Sequence, residues 1–208
     1  LFEEAELRER EQSFQLAVRH SARLACVSES VRREALEHSN LPPGRVRVVT
    51  ARLSGAEGAS SRDGAAICAR FGLAPGGFLI YPADFTALKN HGVLLTALGI
   101  FAKSQPGSTL KLVLAGEDSG AARELHAAAK SMGLSDRVFF TGRLSGAELS
   151  ALMAVSLALV FPSLYEGFAA PVAMAQLMGV PVLCSDAPGP AETAGDAALF
   201  FDPRKPED

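Results

Sequence analysis

From Phe78 to Asp208, short apolar runs alternate with segments of helical length and spacing. Residues 78–81, 110–115, 137–140, 156–161, 180–184 and 197–201 have the length and apolar character of buried strands. Residues 93–103, 121–132, 145–154 and 171–178 lie between them and read as helices, with Ser145 and Glu148 at capping-box spacing. Strands joined through helices run parallel, because a parallel pair needs a crossover connection. The runs are almost continuously apolar, as strands covered on both faces are. The expected fold is therefore α/β: a doubly wound parallel sheet with helices on both faces. Such sheets bind ligands beyond the carboxyl ends of their strands, where strand order reverses. Chemistry is expected in the loops after Tyr81, Ala115, Phe140 and Phe161.

The first quarter of the chain is organised differently. Residues 1 to about 20 are charged and carry only a partial apolar stripe at helical spacing. Residues 24–27 and 46–49 read as short strands, with a helix over 31–37 behind Ser28 and Ser30, and a break at Pro42-Pro43-Gly44. Residues 54–64 hold Gly55, Gly58, Ser60, Ser61 and Gly64 and read as a linker, followed by a short helix over 65–71. The expected division is a helix–strand–helix–strand piece over 1–55 and the α/β domain over 56–208. The chain starts at Leu1 rather than Met and stops where a further helix could begin, so it is expected to be a piece of a longer protein.

Composition removes several function classes. The 208 residues are 48% hydrophobic and 21% charged, an ordinary globular balance. The net charge of -3 argues against a nucleic-acid partner, which calls for a strongly basic face. Cys26, Cys68 and Cys184 are far apart and form no Cys-x-x-Cys pair, against a disulfide framework or a zinc site. Their sparse use fits a reducing, cytoplasmic compartment. No apolar stretch reaches the roughly 18 residues of a membrane span.

The most informative segment is Phe161-Pro162-Ser163-Leu164-Tyr165-Glu166-Gly167-Phe168-Ala169-Ala170-Pro171. It joins a buried strand to a helix with Pro in the first turn, where a missing N–H does no harm. The free N–H groups and dipole of such a terminus favour phosphate, and Glu166 just before it suits sugar hydroxyls. On these grounds alone, an ordinary strand–helix loop with a solvated Glu fits as well. The segment, however, resembles the family 4 (group 1) retaining glycosyltransferases of the GT-B fold. Their loop reads Pro-Ser-x-x-Glu-Gly-Phe-Gly-x-Pro, followed by Glu-Ala-Met-Ala-x-Gly-x-Pro-Val. Gly179-Val180-Pro181-Val182, Ala191 to Pro203, Val113 to Gly116 and Val138 to Gly142 continue the likeness, which covers about residues 20–208.

The resemblance implies roles. Tyr81-Pro82-Ala83-Asp84-Phe85-Thr86-Ala87-Leu88-Lys89-Asn90-His91 places Lys89 at the family's phosphate-binding lysine, and Lys-Asn-His looks like the mannosyltransferase-rich subgroup. Lys89 and Glu166 are the expected catalytic pair. An ammonium beside a diphosphate stabilises the charge developing on the leaving nucleotide. The backbone of Gly167, Phe168 and Ala169 is expected to hold the diphosphate. Gly116 belongs to the donor site, and Val138 and Leu144 line the base pocket. His91 reads as a cap or packing residue, and His20, His38 and His126 read as surface residues. No Asp-x-Asp pair occurs, and no metal or other cofactor is expected.

Four departures stand out. Met174 occupies the position of a second Glu that accepts ribose hydrogen bonds, and a thioether is a weak acceptor. Asp84 stands where many members place an Arg, Ala169 replaces a Gly, and Thr50-Ala51-Arg52-Leu53 replaces Asn-Gly-Val. The expected function is the donor-binding part of a retaining glycosyltransferase of polysaccharide biosynthesis. It would move a mannose-like sugar from a GDP- or UDP-sugar to a glycan or lipid-linked acceptor held by a missing half, with peripheral membrane association open to the intact enzyme. The 208-residue piece by itself is expected to be inactive. The alternatives are a degenerate, non-catalytic GT-B domain serving in binding or assembly, and another GT-B enzyme such as a nucleotide-sugar epimerase.

Overall fold

The computed structural model describes residues 4–53, 61–118 and 120–208. The chain divides into two compact units, residues 1–52 and 53–208. In the first, helix α1 (Glu4–His20) precedes strand β1 (Leu24–Cys26), helix α2 (Glu29–Glu37) and strand β2 (Val46–Val48). The two strands pair in parallel, Leu24 opposite Val46 and Cys26 opposite Val48. Ser28 caps α2 by accepting from the Val31 N–H at 3.2 Å, which satisfies one of the free donors of the first turn.

The second unit holds α3 (Ser61–Phe71), β3 (Phe78–Pro82), α4 (His91–Ser104), β4 (Lys111–Ala115), α5 (Ala122–Ser131), β5 (Val138–Phe140), α6 (Gly146–Ala154), β6 (Ala158–Phe161), α7 (Ala170–Leu177), β7 (Val182–Ser185), α8 (Pro188–Ala194) and β8 (Leu199–Phe201). The six strands form one parallel sheet in the order β5-β4-β3-β6-β7-β8. This is the doubly wound α/β architecture expected from the alternation of runs. Phe78, Ile80 and Tyr81 of β3, Leu114 of β4, and Leu159 and Phe161 of β6 are almost wholly buried. Burying one such side chain contributes about 1.5–3 kcal/mol.

Order reverses between β3 and β6. After β3 the chain moves outward to β4 and β5, and then returns to place β6 on the other side of β3. The β3–β4 pair runs for five residues, from Phe78 opposite Lys111 to Pro82 opposite Ala115. The β3–β6 pair covers only Leu79 opposite Ala158 and Ile80 opposite Leu159. Pairing therefore stops before either strand ends, and the loops that follow diverge from one point.

Two expectations need correction. Of the linker expected over 54–64, residues 54–60 lie outside the described residues, and the rest is already helix α3. Gly64 sits inside that helix because a Cβ there would strike the Ala151 carbonyl and Val155 of α6. A bare backbone is what lets α3 pack closely on α6. Helix α8 lies in a segment for which no helix was expected. Pro188 occupies its first turn, where it is tolerated. The capping box of α6 is present. Ser145 accepts from the Glu148 N–H at 3.3 Å, and Glu148 accepts from the Ser145 N–H at 3.0 Å. The Ser145 N–H, then the Ser145 hydroxyl, which also donates to the carboxylate at 2.8 Å, and then Arg70 hold the Glu148 carboxyl down at about 2.

Candidate functional site

The site grows from the two loops at the reversal point. After β3 the chain makes a short turn over Ala87–Lys89, and Asn90 then takes the left-handed conformation, φ 57° and ψ 38°. Asn90 is the only non-glycine at positive φ among the described residues, and Asn tolerates this region better than most. After β6 the chain runs through Pro162 and Ser163, both buried, to Glu166. Lys89 Nζ donates to Glu166 Oε1 across the gap. The lysine side chain is 28% exposed and the glutamate 15%, so the pair faces solvent only in part.

Beneath the pair lies a hydrogen-bonded chain. The Tyr81 hydroxyl donates to the Lys89 carbonyl at 2.8 Å. Its single proton is used there, so the Ser163 hydroxyl, 2.9 Å away, donates to the tyrosine oxygen. Tyr81 is fully buried, and burial pushes its phenol up out of the titrating range. The Leu164 N–H donates to the Leu88 carbonyl at 2.9 Å. The Asn90 carboxamide donates to the Pro162 carbonyl at 3.2 Å and to the Pro203 carbonyl at 2.7 Å.

Two glycines let backbones meet. A Cβ on Gly189 of α8 would overlap the Glu166 carbonyl oxygen, and one on Gly116 after β4 would overlap the Ala83 carbonyl. The Gly116 approach belongs to a zipper between the β3 and β4 loops. Ala83 N–H donates to the Ala115 carbonyl at 3.0 Å, and Glu117 N–H donates to Asp84 Oδ1 at 2.8 Å. Asp84 thus ties one loop to the next.

The remaining expected residues fall at different depths. Gly167 and Phe168 are half-buried in the loop before α7, and Ala169 is buried with its N–H donated to Thr193 Oγ1 at 3.1 Å. Met174 lies half-buried in α7. Gly116 lines a cleft of about 330 Å³ with Phe85, Glu117, His126, Phe140 and Arg143. Val138 is buried in the core and Leu144 packs against it; the aromatic wall of the cleft is made by Phe85, Phe140 and His126 instead. His126 stacks on Phe140 with ring centroids 3.7 Å apart, a contact that a lone exposed histidine in the sequence does not announce. Among the described residues no group of three His, Cys, Asp or Glu could hold a metal ion, and no helix is long and apolar enough to cross a membrane.

His91 opens α4 and is only 3% exposed, between the rings of Tyr81 and Phe85. Its Nε2 has no partner. Burial lowers its pKa to about 4 from the usual 6.5, against a hydrogen bond with the Ala83 backbone that raises it. The unfolded chain takes up this proton near 6.5 and the folded chain near 4. His91 therefore adds stability above pH 6.5 that is lost as pH falls toward 4, up to about 3 kcal/mol. Melting temperatures of the wild type and His91→Gln should accordingly diverge in pH dependence, the variant losing less between pH 6.5 and 4. Parallel curves would show that His91 carries no such penalty.

A six-stranded parallel sheet with paired charges at its reversal point is the architecture of a Rossmann-like ligand-binding domain. Residues 74–208 match the family described as glycosyl transferases group 1, and the chain belongs to that family. It is 41% identical over 64 residues to O-antigen chain mannosyltransferase B of Escherichia coli, a match covering 31% of this chain and 17% of that protein. It is 30% identical over 141 residues to D-inositol 3-phosphate glycosyltransferase of Nocardia farcinica, covering 65% and 31%. The fold is that of Anabaena Alr3699/HepE, crystallised with UDP and glucose. There the TM-score is 0.84 at 21% identity, over 99% of this chain and 55% of the other. The chain thus spans about half of that structure and matches under a third of each curated relative.

Proposed function

We propose that this chain is the donor-binding part of a retaining glycosyltransferase, which moves a mannose-like sugar from a GDP- or UDP-sugar to a glycan or lipid-linked acceptor. The observation that carries the reading is the Lys89–Glu166 pair at the strand-order reversal. In it a cation for a diphosphate and a carboxylate for sugar hydroxyls stand side by side. Lys89, with the backbone of Gly167 and Phe168 at the start of α7, holds the diphosphate and offsets the negative charge that grows on the departing nucleotide. Glu166 accepts from hydroxyls of the sugar. The Ala169 N–H already has Thr193 as partner, so Ala169 contributes close packing. The cleft walled by Phe85, Phe140 and His126 suits a flat nucleobase. The ammonium and a helix terminus supply the positive charge, so the chemistry calls for no metal. The curated relative named as an O-antigen chain mannosyltransferase and the structure holding UDP and glucose support a sugar-nucleotide donor. A cytoplasmic role in polysaccharide synthesis, peripheral to a membrane where the acceptor is a lipid, fits the same reading.

A second reading is favoured by Met174, which offers a ribose little as an acceptor: a degenerate domain that binds or assembles without transfer. Calorimetry with GDP-mannose, GDP, UDP and UDP-glucose separates the two. Heat of binding in the wild type supports the donor-site reading. Met174→Glu should then tighten nucleotide binding by about tenfold to 150-fold, the worth of hydrogen bonds to a charged acceptor. Silence of the wild type at millimolar nucleotide would overturn that reading, and recovery in Met174→Glu would assign the loss to one side chain.

A further inference from the structure

We propose that Asn90 is the positioning residue of this site: its carboxamide sets the separation of Lys89 and Glu166. The inference rests on the donor-site reading only for what the pair is used for. Three segments far apart in sequence meet at this side chain. Its backbone terminates the Lys89 turn, and its Nδ2 donates to the carbonyl of Pro162 at the head of the Glu166 loop and to that of Pro203 after β8. A carboxamide nitrogen has two protons and both are used, one on each carbonyl.

The backbone gives the second line of argument. Asn90 sits at φ 57°, and a residue held in a sparsely populated region at a site of this kind points to a geometric demand. The left-handed residue turns the chain sharply between the Lys89 turn and α4, and this aims the Lys89 side chain across the gap at Glu166. Asn meets both requirements at once. Glycine would adopt the backbone but carries no donor. Aspartate has the same shape and tolerates the conformation, yet would set a carboxylate against two carbonyl oxygens. Tyr81 and the Leu164 N–H join only the β3 and β6 loops.

The role differs from that of a residue touching the ligand. Asn90 acts through Lys89, so its loss should weaken diphosphate binding without removing a contact to it, because a preorganised cation has become a mobile one. The test uses the 208-residue chain with Asn90→Gly and Asn90→Asp, each alone and combined with Lys89→Met. UDP and GDP serve as probes in calorimetry, and amide exchange is measured without ligand. In both single variants the nucleotide affinity should fall about tenfold. Lys89→Met should then weaken binding much less in the Asn90→Gly background than in the wild type, because the lysine is no longer held. Exchange at the Leu164 amide should quicken while that of Leu114 in the sheet stays as it was. Wild-type affinity in both variants, an undiminished effect of Lys89→Met, or faster exchange at Leu164 and Leu114 alike would overturn the proposal. If the wild type binds neither nucleotide, the donor-site reading fails, and the Leu164 and Leu114 exchange rates still decide the role of Asn90.

Discussion

Lys89→Met should weaken the binding of UDP or GDP by about tenfold to 150-fold, while Glu166→Gln should tighten it. The lysine arm follows from the roughly 1.5–3 kcal/mol that a charged hydrogen bond contributes when its partner is only partly solvated. The glutamate arm follows from the resting structure. Lys89 Nζ is engaged by Glu166 Oε1, so an incoming diphosphate must draw the ammonium away from a carboxylate already in place. Neutralising Glu166 removes that competitor and a negative charge beside the phosphates. A nucleotide sugar should respond in the opposite sense, because Glu166→Gln takes away the acceptor for its hydroxyls. Calorimetry with UDP and UDP-glucose on both variants reads all four values. Equal weakening of UDP and UDP-glucose in Glu166→Gln would refute the competition.

The largest structural losses are expected at Gly189 and Gly116. An alanine at either position would drive a Cβ into a carbonyl oxygen, that of Glu166 or that of Ala83. A side chain cannot rotate out of the way when the obstacle is backbone. Overpacking of this kind costs about 1–3 kcal/mol or more. Gly189→Ala should also push the Glu166 carbonyl outward and lower nucleotide affinity with stability. Gly92 makes the matched control. It lies exposed near the start of α4 with nothing near its Cβ position, and Gly92→Ala should stabilise by about 0.5–1 kcal/mol. Urea midpoints check the set, and an unchanged midpoint for Gly189→Ala would show that the two loops are not pressed together.

The architecture was legible in the sequence because it depends on local signals. Alternating apolar runs gave the parallel sheet, and Ser145 with Glu148 gave a helix start that the structure shows. The glycosyltransferase family followed from the Glu166 segment and its continuation at Gly179 to Val182. What escaped had no local signal. No helix was expected over residues 188–194, yet both prolines sit within the first turn of α8, where a missing N–H is harmless. Gly64 reads as a linker residue, yet it is the point where α3 touches α6. Tyr81 reads as the end of an apolar strand, and nothing within its neighbourhood predicts that its hydroxyl meets Ser163, 82 residues away. His126 reads as a surface residue and is exposed, but nothing local announces its stacking on Phe140.

The reach of the Asn90 carboxamide has a consequence for modularity. It gathers chain segments that lie 72 and 113 residues downstream of it. The site therefore has no portable motif. Grafting the segment around Glu166 onto another protein would carry a carboxylate without its lysine, and grafting both loops would still leave the turn at Pro203 behind. The smallest unit that can be moved between proteins is the β3–β6 junction together with the return of the chain past β8.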